Sequence, residues 1–292
     1  MSTRKQKVAV VTGASKGIGA GVRDYLLEDG WLVFGLSRWA EKSIHKSYIP
    51  VVCNVSDETS VKDAFSVIST QTKFLDAVIN AAGIYGPIGP TLDVPVEEWL
   101  ETFKVNTLGP LLIIRNSIDL LKKTKAPSIV NFAGGGAFDP LPRYSAYAVS
   151  KSAIVRLTET LAVEFGHGIT INAVAPGFVA TEIHQATLNA GVEMAGEQFY
   201  EHTLRKLEEG AVPIELPVKL VSWLLSPYTR GLTGKTLSAN FDPWQSPEFP
   251  DLVEMINASP LYTMKRINPV NLEQDDKVLR KMIVGIDNVL EL

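Results

Sequence analysis

The sequence lacks the features that would point to disulfides, metal binding or a membrane span. Cys53 is the only cysteine among 292 residues, so no internal disulfide can form. Its surroundings, "PVVCNV", predict a buried strand and an inert core thiol. The four histidines (45, 167, 184 and 202) lack metal-ligand spacing, and no metal site is expected. Apolar runs such as "VAVV" and "LLII" are too short to span a bilayer.

The chain also lacks a strong charge of either sign. Its formal net charge is −4, which gives no electrostatic case for binding nucleic acid or anionic membranes. The composition, 46% hydrophobic and 21% charged, is typical of a globular protein with a large core. These features favour a soluble cytoplasmic protein without a nucleic-acid or membrane partner.

Strand and helix patterns alternate along the chain. Strand patterns occur at 7–13, 31–37, 48–55, 74–83, 126–134, 168–177 and 234–240. Helical patterns occur at 17–30, 57–71, 95–123, 146–166 and 217–226. This order predicts an α/β fold with a doubly wound, parallel, seven-stranded sheet flanked by helices. We expect Asp57 to cap its helix, Pro110 to bend the long helix, and the short connection 38–48 to be irregular.

A glycine-rich loop follows the first strand. In "VVTGASKGIGAG", Gly13, Gly17 and Gly19 separate this strand from the next helix. Glycines at this junction permit a tight turn and let backbone N–H groups approach a pyrophosphate at the helix N-terminus. The loop therefore predicts a dinucleotide-binding site.

No carboxylate follows the second strand, where one would hold the ribose hydroxyls of NAD. That place holds Ser37 and Arg38, and Lys16 lies within the glycine loop. Two cations without an acid suit the 2′-phosphate of NADP(H), which is the cofactor we expect. The alternative is that both are solvated surface charges.

Five motifs, in order, resemble those of the short-chain dehydrogenase/reductase superfamily in its single-domain form. They are "TGASKGIG" (12–19), "NAAG" (80–83), the Asn106 of "KVNTLGP", "YAVSK" (147–151) and "NAVAPGFVAT" (172–181). The resemblance implies a Rossmann-fold domain over 1–241 with a substrate lid near 182–212. An extension over 242–292 would pack on the core or on a partner subunit, and its Asp242-Pro243-Trp244 would turn across the substrate mouth or onto that partner. The resemblance also implies a homodimer or homotetramer formed through helices 95–123 and 146–166.

The resemblance assigns roles to particular residues. It implies a catalytic set of Tyr147, Lys151 and Asn106, with Asn106 positioning a water that relays protons to Lys151. The implied cofactor contacts, besides Tyr147 and Lys151, are Gly13, Ser15, Lys16, Gly17, Ile18, Gly19, Ser37, Arg38, Asn54, Val55, Asn80, Ala81, Ala82, Gly83, Pro176, Gly177, Val179 and Thr181. The expected substrate contacts are Gly134, Gly135, Phe138, Tyr144 and His184.

The Tyr147–Lys151 pair makes chemical sense for proton transfer. The two residues lie one helical turn apart and project from the same helix face. A nearby ammonium group, together with the positive charge of the oxidised nicotinamide, favours phenolate and should lower the pKa of Tyr147. Tyr147 could then protonate a ketone oxygen, or deprotonate an alcohol in the reverse direction.

The serine that this family usually places thirteen residues before the tyrosine is missing, because that position is Gly134. Three interpretations remain open: backbone N–H groups of Gly134–Gly136 replace it, the substrate brings its own polar group, or the site does not turn over. We favour a working NADP(H)-dependent oxidoreductase with a remodelled pocket, which interconverts a ketone and a secondary alcohol on a small polar, sugar-like substrate. The alternatives are a cofactor-binding protein with little turnover, and an epimerase or dehydratase that uses bound cofactor.

Overall fold

The structure, a computed structural model, describes residues 6–39, 42 and 45–266. Seven strands form one sheet in which every neighbouring pair is parallel, in the order β3-β2-β1-β4-β5-β6-β7. The strands are β1 (Val8–Thr12), β2 (Leu32–Ser37), β3 (Tyr48–Val52), β4 (Ala77–Asn80), β5 (Ser128–Phe132), β6 (Thr170–Ala175) and β7 (Thr236–Ser238). The predicted doubly wound seven-stranded sheet is confirmed.

Helices cover both faces of the sheet. They are α1 (Gly17–Glu28), α2 (Glu58–Gln71), α3 (Val96–Phe103), α4 (Gly109–Leu121), α5 (Ser145–Phe165), α6 (Gln185–Ala195), α7 (Glu197–Glu209), α8 (Glu215–Leu224) and α9 (Val253–Asn257). On one face, Leu26 of α1 and Leu220 of α8 are buried against the sheet. On the other face, Phe65 of α2 and Ile113 of α4 lie in a second apolar cluster. Burial on both faces explains the nearly continuous apolar strands.

The sheet has a topological switch point between β1 and β4, where the order of the strands reverses. β2 and β3 lie on one side of β1, whereas β4 and the later strands lie on the other. The loops that leave the carboxyl ends of β1 and β4 therefore diverge and open a crevice. Thr12 and Asn80 are register partners at this end, and the Thr12 hydroxyl accepts a hydrogen bond of 3.1 Å from the Ala82 N–H. The crevice thus forms where the two predicted cofactor motifs meet.

The predicted long helix over 95–123 contains a π-helical turn rather than a simple bend. Lys104–Leu108 adopts this turn between α3 and α4. Because Pro110 has no N–H, it cannot donate the α-helical hydrogen bond to the Asn106 carbonyl. The irregularity therefore lies just before the proline and contains Asn106.

Two smaller expectations concern α2 and the connection that precedes β3. The Asp57 carboxylate accepts hydrogen bonds from the N–H groups of Thr59 (2.8 Å) and Ser60 (3.1 Å), as expected for an N-cap. No helix occurs in the described part of the connection between β2 and β3.

The chain after β7 packs against the core as far as it is described. Trp244 and Phe249 are buried, and their rings lie 6.0 and 5.3 Å from that of Trp223 on α8. Trp244 therefore lies under α8 and not across the substrate mouth, because its indole completes the apolar cluster on that face. The remainder of the extension expected over 242–292, from residue 267 on, lies outside the described residues.

Candidate active site

The glycine loop is shaped by close backbone contacts. Gly13 has a φ of 65°, and a Cβ there would lie 2.9 Å from the backbone of Ala82. A Cβ on Gly19 would overlap the Gly13 carbonyl. Only glycine fits at these two positions while the turn stays tight and α1 begins at Gly17. The loop therefore presents the N-terminus of α1 to the crevice.

A cavity of about 1300 Å³ opens at the carboxyl end of the sheet, larger than a typical small-ligand pocket. It brings together most of the residues that the sequence assigned to the site. The assigned residues that line it are Gly13, Ser15, Lys16, Gly17, Ile18, Gly19, Ser37, Arg38, Asn54, Val55, Ala81, Ala82, Gly83, Gly134, Gly135, Phe138, Tyr147, Lys151, Pro176, Gly177, Val179, Thr181 and His184.

Three assigned residues do not line the cavity. Asn80 is buried and donates a hydrogen bond of 2.8 Å to Asn131, so its amide contributes to the interior beneath the crevice. Tyr144 is fully buried and donates to the Thr187 hydroxyl at 3.0 Å, which ties this tyrosine to the lid helix α6. Neither side chain is placed to contact a ligand directly.

Asn106 is the third residue outside the cavity wall. Its side-chain oxygen accepts from the Ile84 N–H at 2.9 Å, and its NH₂ donates to the Ile84 carbonyl (2.8 Å) and the Ser150 hydroxyl (3.0 Å). A Cβ on Gly83 would lie 3.3 Å from this oxygen and 3.7 Å from the Lys151 ammonium nitrogen. Asn106 thus fixes the loop after β4 close to Lys151.

Tyr147 and Lys151 share one buried environment on α5. The Lys151 ammonium lies 5.5 Å from the centre of the Tyr147 ring and donates to the Phe132 carbonyl at 2.9 Å. Burial lowers the pKa of Lys151 to about 8. Burial also raises the pKa of Tyr147, the opposite direction to the lowering expected from the ammonium together with an oxidised nicotinamide. Desolvation opposes the phenolate more strongly than the neighbouring cation favours it, so the Tyr147 hydroxyl keeps its proton at neutral pH.

The Tyr147 hydroxyl lies directly over Gly134. A Cβ built on Gly134 would overlap this hydroxyl and lie 3.1 Å from the ring carbon that bears it. The same atom on Gly135 would meet nothing within 4 Å. The missing side chain at 134 therefore provides the room that Tyr147 occupies.

Tyr85 is a site residue that the sequence analysis did not identify. It lines the cavity, and its ring stands edge-on to Tyr147 with 4.7 Å between ring centres. Its hydroxyl lies 2.9 Å from Nδ1 of His184, whose ring stacks on Phe178 at 3.8 Å. Burial lowers the pKa of His184 to about 4, so this imidazole is neutral at physiological pH. The only available signal was an aromatic residue two places after "NAAG".

The end of the cavity near β2 carries the predicted phosphate-binding cations. Arg38 is exposed and has no hydrogen-bond or ion-pair partner among the described residues. Trp39 is 72% exposed beside it and also lines the cavity. Lys16 forms an ion pair with Glu182 of the lid, which joins the glycine loop to the far wall. Arg38 is therefore the cation most available to a ligand at this end.

The segment after β7 supplies further cavity residues, of which only Asp242 was expected near the substrate mouth. Asn240, Phe241 and Asp242 follow β7 directly, and Tyr262 returns to the same wall from farther along the chain. Asp242 belongs to the turn that was expected across the substrate mouth or onto a partner subunit, whereas no pattern in the sequence indicates that the returning chain places Tyr262 on the same wall.

No helix in the described part of the chain is long and apolar enough to cross a membrane. The chain is 29% identical over 241 residues to human dehydrogenase/reductase SDR family member 4, which covers 79% of this chain and 85% of that protein. It is 28% identical over 194 residues to the D-threitol dehydrogenase of Mycolicibacterium smegmatis, covering 62% and 73% of the two chains.

A similar solved structure is the ligand-free aldohexose dehydrogenase of Thermoplasma acidophilum. The TM-score is 0.71 at 25% identity, and the match covers 80% of this chain and 92% of that one. Residues 7–191 match the short chain dehydrogenase family. With its parallel sheet, glycine loop and Tyr147–Lys151 pair at the crevice, the chain belongs to the short-chain dehydrogenase/reductase family.

Proposed function

We propose that this protein is an NADP(H)-dependent oxidoreductase that interconverts a ketone and a secondary alcohol on a small polar, sugar-derived substrate. The observation that carries the proposal is that Tyr147 and Lys151 line the same cavity as the glycine loop. The proton donor Tyr147, the cation Lys151 and the glycine-rich cofactor loop therefore all face one cavity.

The cavity fits a nicotinamide dinucleotide. The backbone approach at Gly13 leaves the loop amides free of side chains, and a Cβ on Gly17 would lie 3.6 Å from the methyl group of Thr181. When bound, the cofactor supplies or accepts the hydride. Residues 13–19 would hold its pyrophosphate at the start of α1, and residues 176–181 would hold the nicotinamide half.

Tyr147 supplies the proton in this proposal. Its raised pKa keeps the phenol protonated, which suits donation to the oxygen of a ketone. Lys151 in its ammonium form stabilises the phenolate that remains and donates to the ribose hydroxyls. Asn106 acts as a positioning residue, because its amide holds the backbone after β4 beside Lys151.

The preference for NADP(H) rests on the charges at the end of β2. Arg38 is exposed beside the cavity, and no carboxylate occurs at that position. A guanidinium group can hold a 2′-phosphate with two charge-assisted hydrogen bonds, whereas a carboxylate would repel it.

A polar substrate is supported by the lining and by the relatives. His184 and Tyr85 add hydrogen-bonding groups to a wall that also holds Phe178 and Phe138. The names of two similar proteins, a D-threitol dehydrogenase and an aldohexose dehydrogenase, refer to polyhydroxylated compounds. Both observations favour a hydroxylated substrate over a long acyl chain.

We also propose that the protein forms a homodimer or homotetramer through its α3–α4 and α5 faces. Five exposed apolar side chains lie on these helices, and an interface between subunits would bury them. They are Val96, Leu100, Leu111, Val149 and Val163. A cytoplasmic location stays a prediction from the sequence, and cell fractionation tests it.

The direct experiment is a screen of NADPH oxidation over sugar-derived ketones, keto acids and small cyclic ketones. We expect turnover with hydroxylated ketones. NADPH that binds tightly but is not oxidised with any ketone would contradict the proposal and favour a cofactor-binding protein with little turnover.

A further inference from the structure

The chain that follows β7 builds a group of polar side chains into one corner of the cavity. Thr236, Asp242 and Tyr262, called here the polar corner, all line the cavity. The Asp242 carboxylate is held by the Ser238 N–H at 2.5 Å, and the Tyr262 backbone carbonyl accepts from the Thr236 N–H at 2.8 Å. These bonds to β7 fix the positions of Asp242 and Tyr262 relative to the sheet.

The polar corner has unused hydrogen-bonding capacity. Thr236 is only 6% exposed, and among the described residues its hydroxyl has no hydrogen-bond partner. One Asp242 oxygen accepts from Ser238, and neither the other oxygen nor the Tyr262 hydroxyl has a partner within the described part of the chain. A buried polar group without a partner costs about 1–3 kcal/mol, which applies to the Thr236 hydroxyl, whereas Asp242 and Tyr262 are only partly buried and face the cavity. Such a cluster on a cavity wall therefore indicates a ligand group that completes it.

The charges around the polar corner determine which kind of ligand group can bind there. Burial raises the pKa of Asp242. The pKa of Tyr262 is also raised, mainly by burial and to a smaller extent by the charge of Asp242. The nearby buried cation, Lys235, donates instead to the carbonyls of Ser259 (2.7 Å) and Leu261 (3.2 Å). A carboxylate or phosphate would meet repulsion here, whereas a hydroxyl can donate to Asp242 and accept from Tyr262 or Thr236.

We propose that the polar corner is a subsite that binds a hydroxyl group of the substrate, remote from the carbonyl that faces Tyr147. This assignment rests on the proposed function and extends it, because it names a recognition element contributed by β7 and the segment after it. Tyr147 and the polar corner line the same cavity, so one substrate molecule can reach both. The subsite makes the protein selective for hydroxylated substrates.

The test compares 4-hydroxycyclohexanone with cyclohexanone, using kcat/KM in the full chain with NADPH. The wild type should prefer the hydroxylated ketone about tenfold, the value of one hydrogen bond to a charged group. Tyr262→Phe removes the phenol hydroxyl from the polar corner. In Asp242→Asn the amide oxygen can still accept from the Ser238 N–H, while an NH₂ group replaces the oxygen that would accept from the substrate hydroxyl. Each should lower kcat/KM for the hydroxylated ketone about tenfold more than for cyclohexanone. Glu248→Gln, which removes an exposed carboxylate of the same segment outside the cavity, should leave the preference unchanged.

A binding measurement separates this proposal from the proposed function. Saturation-transfer NMR with trans-1,4-cyclohexanediol and cyclohexanol, each with NADPH present, requires no turnover. If neither ketone is reduced but the diol binds more tightly than cyclohexanol, and both variants lose that difference, the subsite stands while the proposed activity fails. The same preference in the wild type and both variants, or none in the wild type, would overturn the subsite.

Discussion

The hydroxyl of Tyr147 occupies the space that a side chain at Gly134 would need. A Cβ on Gly134 would overlap that hydroxyl and lie 3.1 Å from the ring carbon that carries it. Tyr85 packs edge-on against the same ring, so Tyr147 has little room to move aside. Gly134 therefore leaves the room that the Tyr147 hydroxyl needs, and the absence of a serine at this position does not by itself indicate an inactive site.

Gly134→Ser should consequently lower activity rather than restore a missing donor. The new Cβ displaces the Tyr147 hydroxyl, and a displacement of about 1 Å can cost about 10²-fold in rate. Steady-state kcat/KM with the native substrate measures the effect. Gly135→Ser is the matched comparison and should cost less, because its Cβ meets open space. A gain in kcat/KM for Gly134→Ser would show that the serine is simply missing.

Arg38→Asp should weaken NADPH binding much more than NADH binding. The substitution replaces an exposed cation at the cavity with an anion that repels the 2′-phosphate and can accept from ribose hydroxyls. Loss of a charge-assisted contact predicts about a 10- to 100-fold rise in the Kd for NADPH. Fluorescence titration with both cofactors measures the change. Equal effects on the two cofactors would remove the 2′-phosphate assignment.

The rate of ketone reduction should fall as the pH rises through about 8. Burial lowers the pKa of Lys151 to about 8, so above this pH the amine loses the charge that stabilises the Tyr147 phenolate. The pH profile of kcat/KM reports this loss, and a rate that stays level to about pH 9.5 would contradict it.

Unfolding would not explain such a fall between about pH 8 and 9. Lys151 and Lys235 both have a pKa lowered to about 8 by burial, against 10.5 for an ordinary lysine. The unfolded chain therefore binds more protons over this interval, and these two groups make stability rise with pH. Melting temperatures measured at the same pH values serve as the control.

Trp244→Ala should destabilise the fold, because the indole is buried under α8 beside Trp223. Removing such a side chain costs about 3–5 kcal/mol. Tyr228→Ala, at a 70% exposed aromatic outside the cavity, should change stability by less than about 0.5 kcal/mol. Urea denaturation followed by circular dichroism measures both. Equal midpoints for the two variants would show that the segment after β7 contributes nothing to the core.

The sheet and the crevice were predictable because their signals are local. Alternating strand and helix periods gave all seven strands, and the glycines after β1 marked the crevice. Most of the residues that the motifs assigned to the site line the cavity.

The remaining features depend on contacts between distant segments. Tyr144 follows the glycine run, yet it bonds Thr187 and is buried, because the lid folds over it. Tyr262 reaches the cavity only because the chain returns to β7, where the Tyr262 carbonyl accepts from the Thr236 N–H. The raised pKa of Tyr147 depends on how completely the fold buries it, which spacing from Lys151 cannot reveal.

The central claim is that Tyr147 donates the proton in a cofactor-dependent ketone reduction, and Tyr147→Phe tests it most directly. In stopped-flow single turnovers, the wild type should oxidise bound NADPH with a ketone found by the screen. Tyr147→Phe should bind NADPH with nearly unchanged affinity but react about 10²- to 10⁴-fold more slowly, the contribution of a positioned general acid. A Tyr147→Phe enzyme that oxidises NADPH at the wild-type rate would contradict the account.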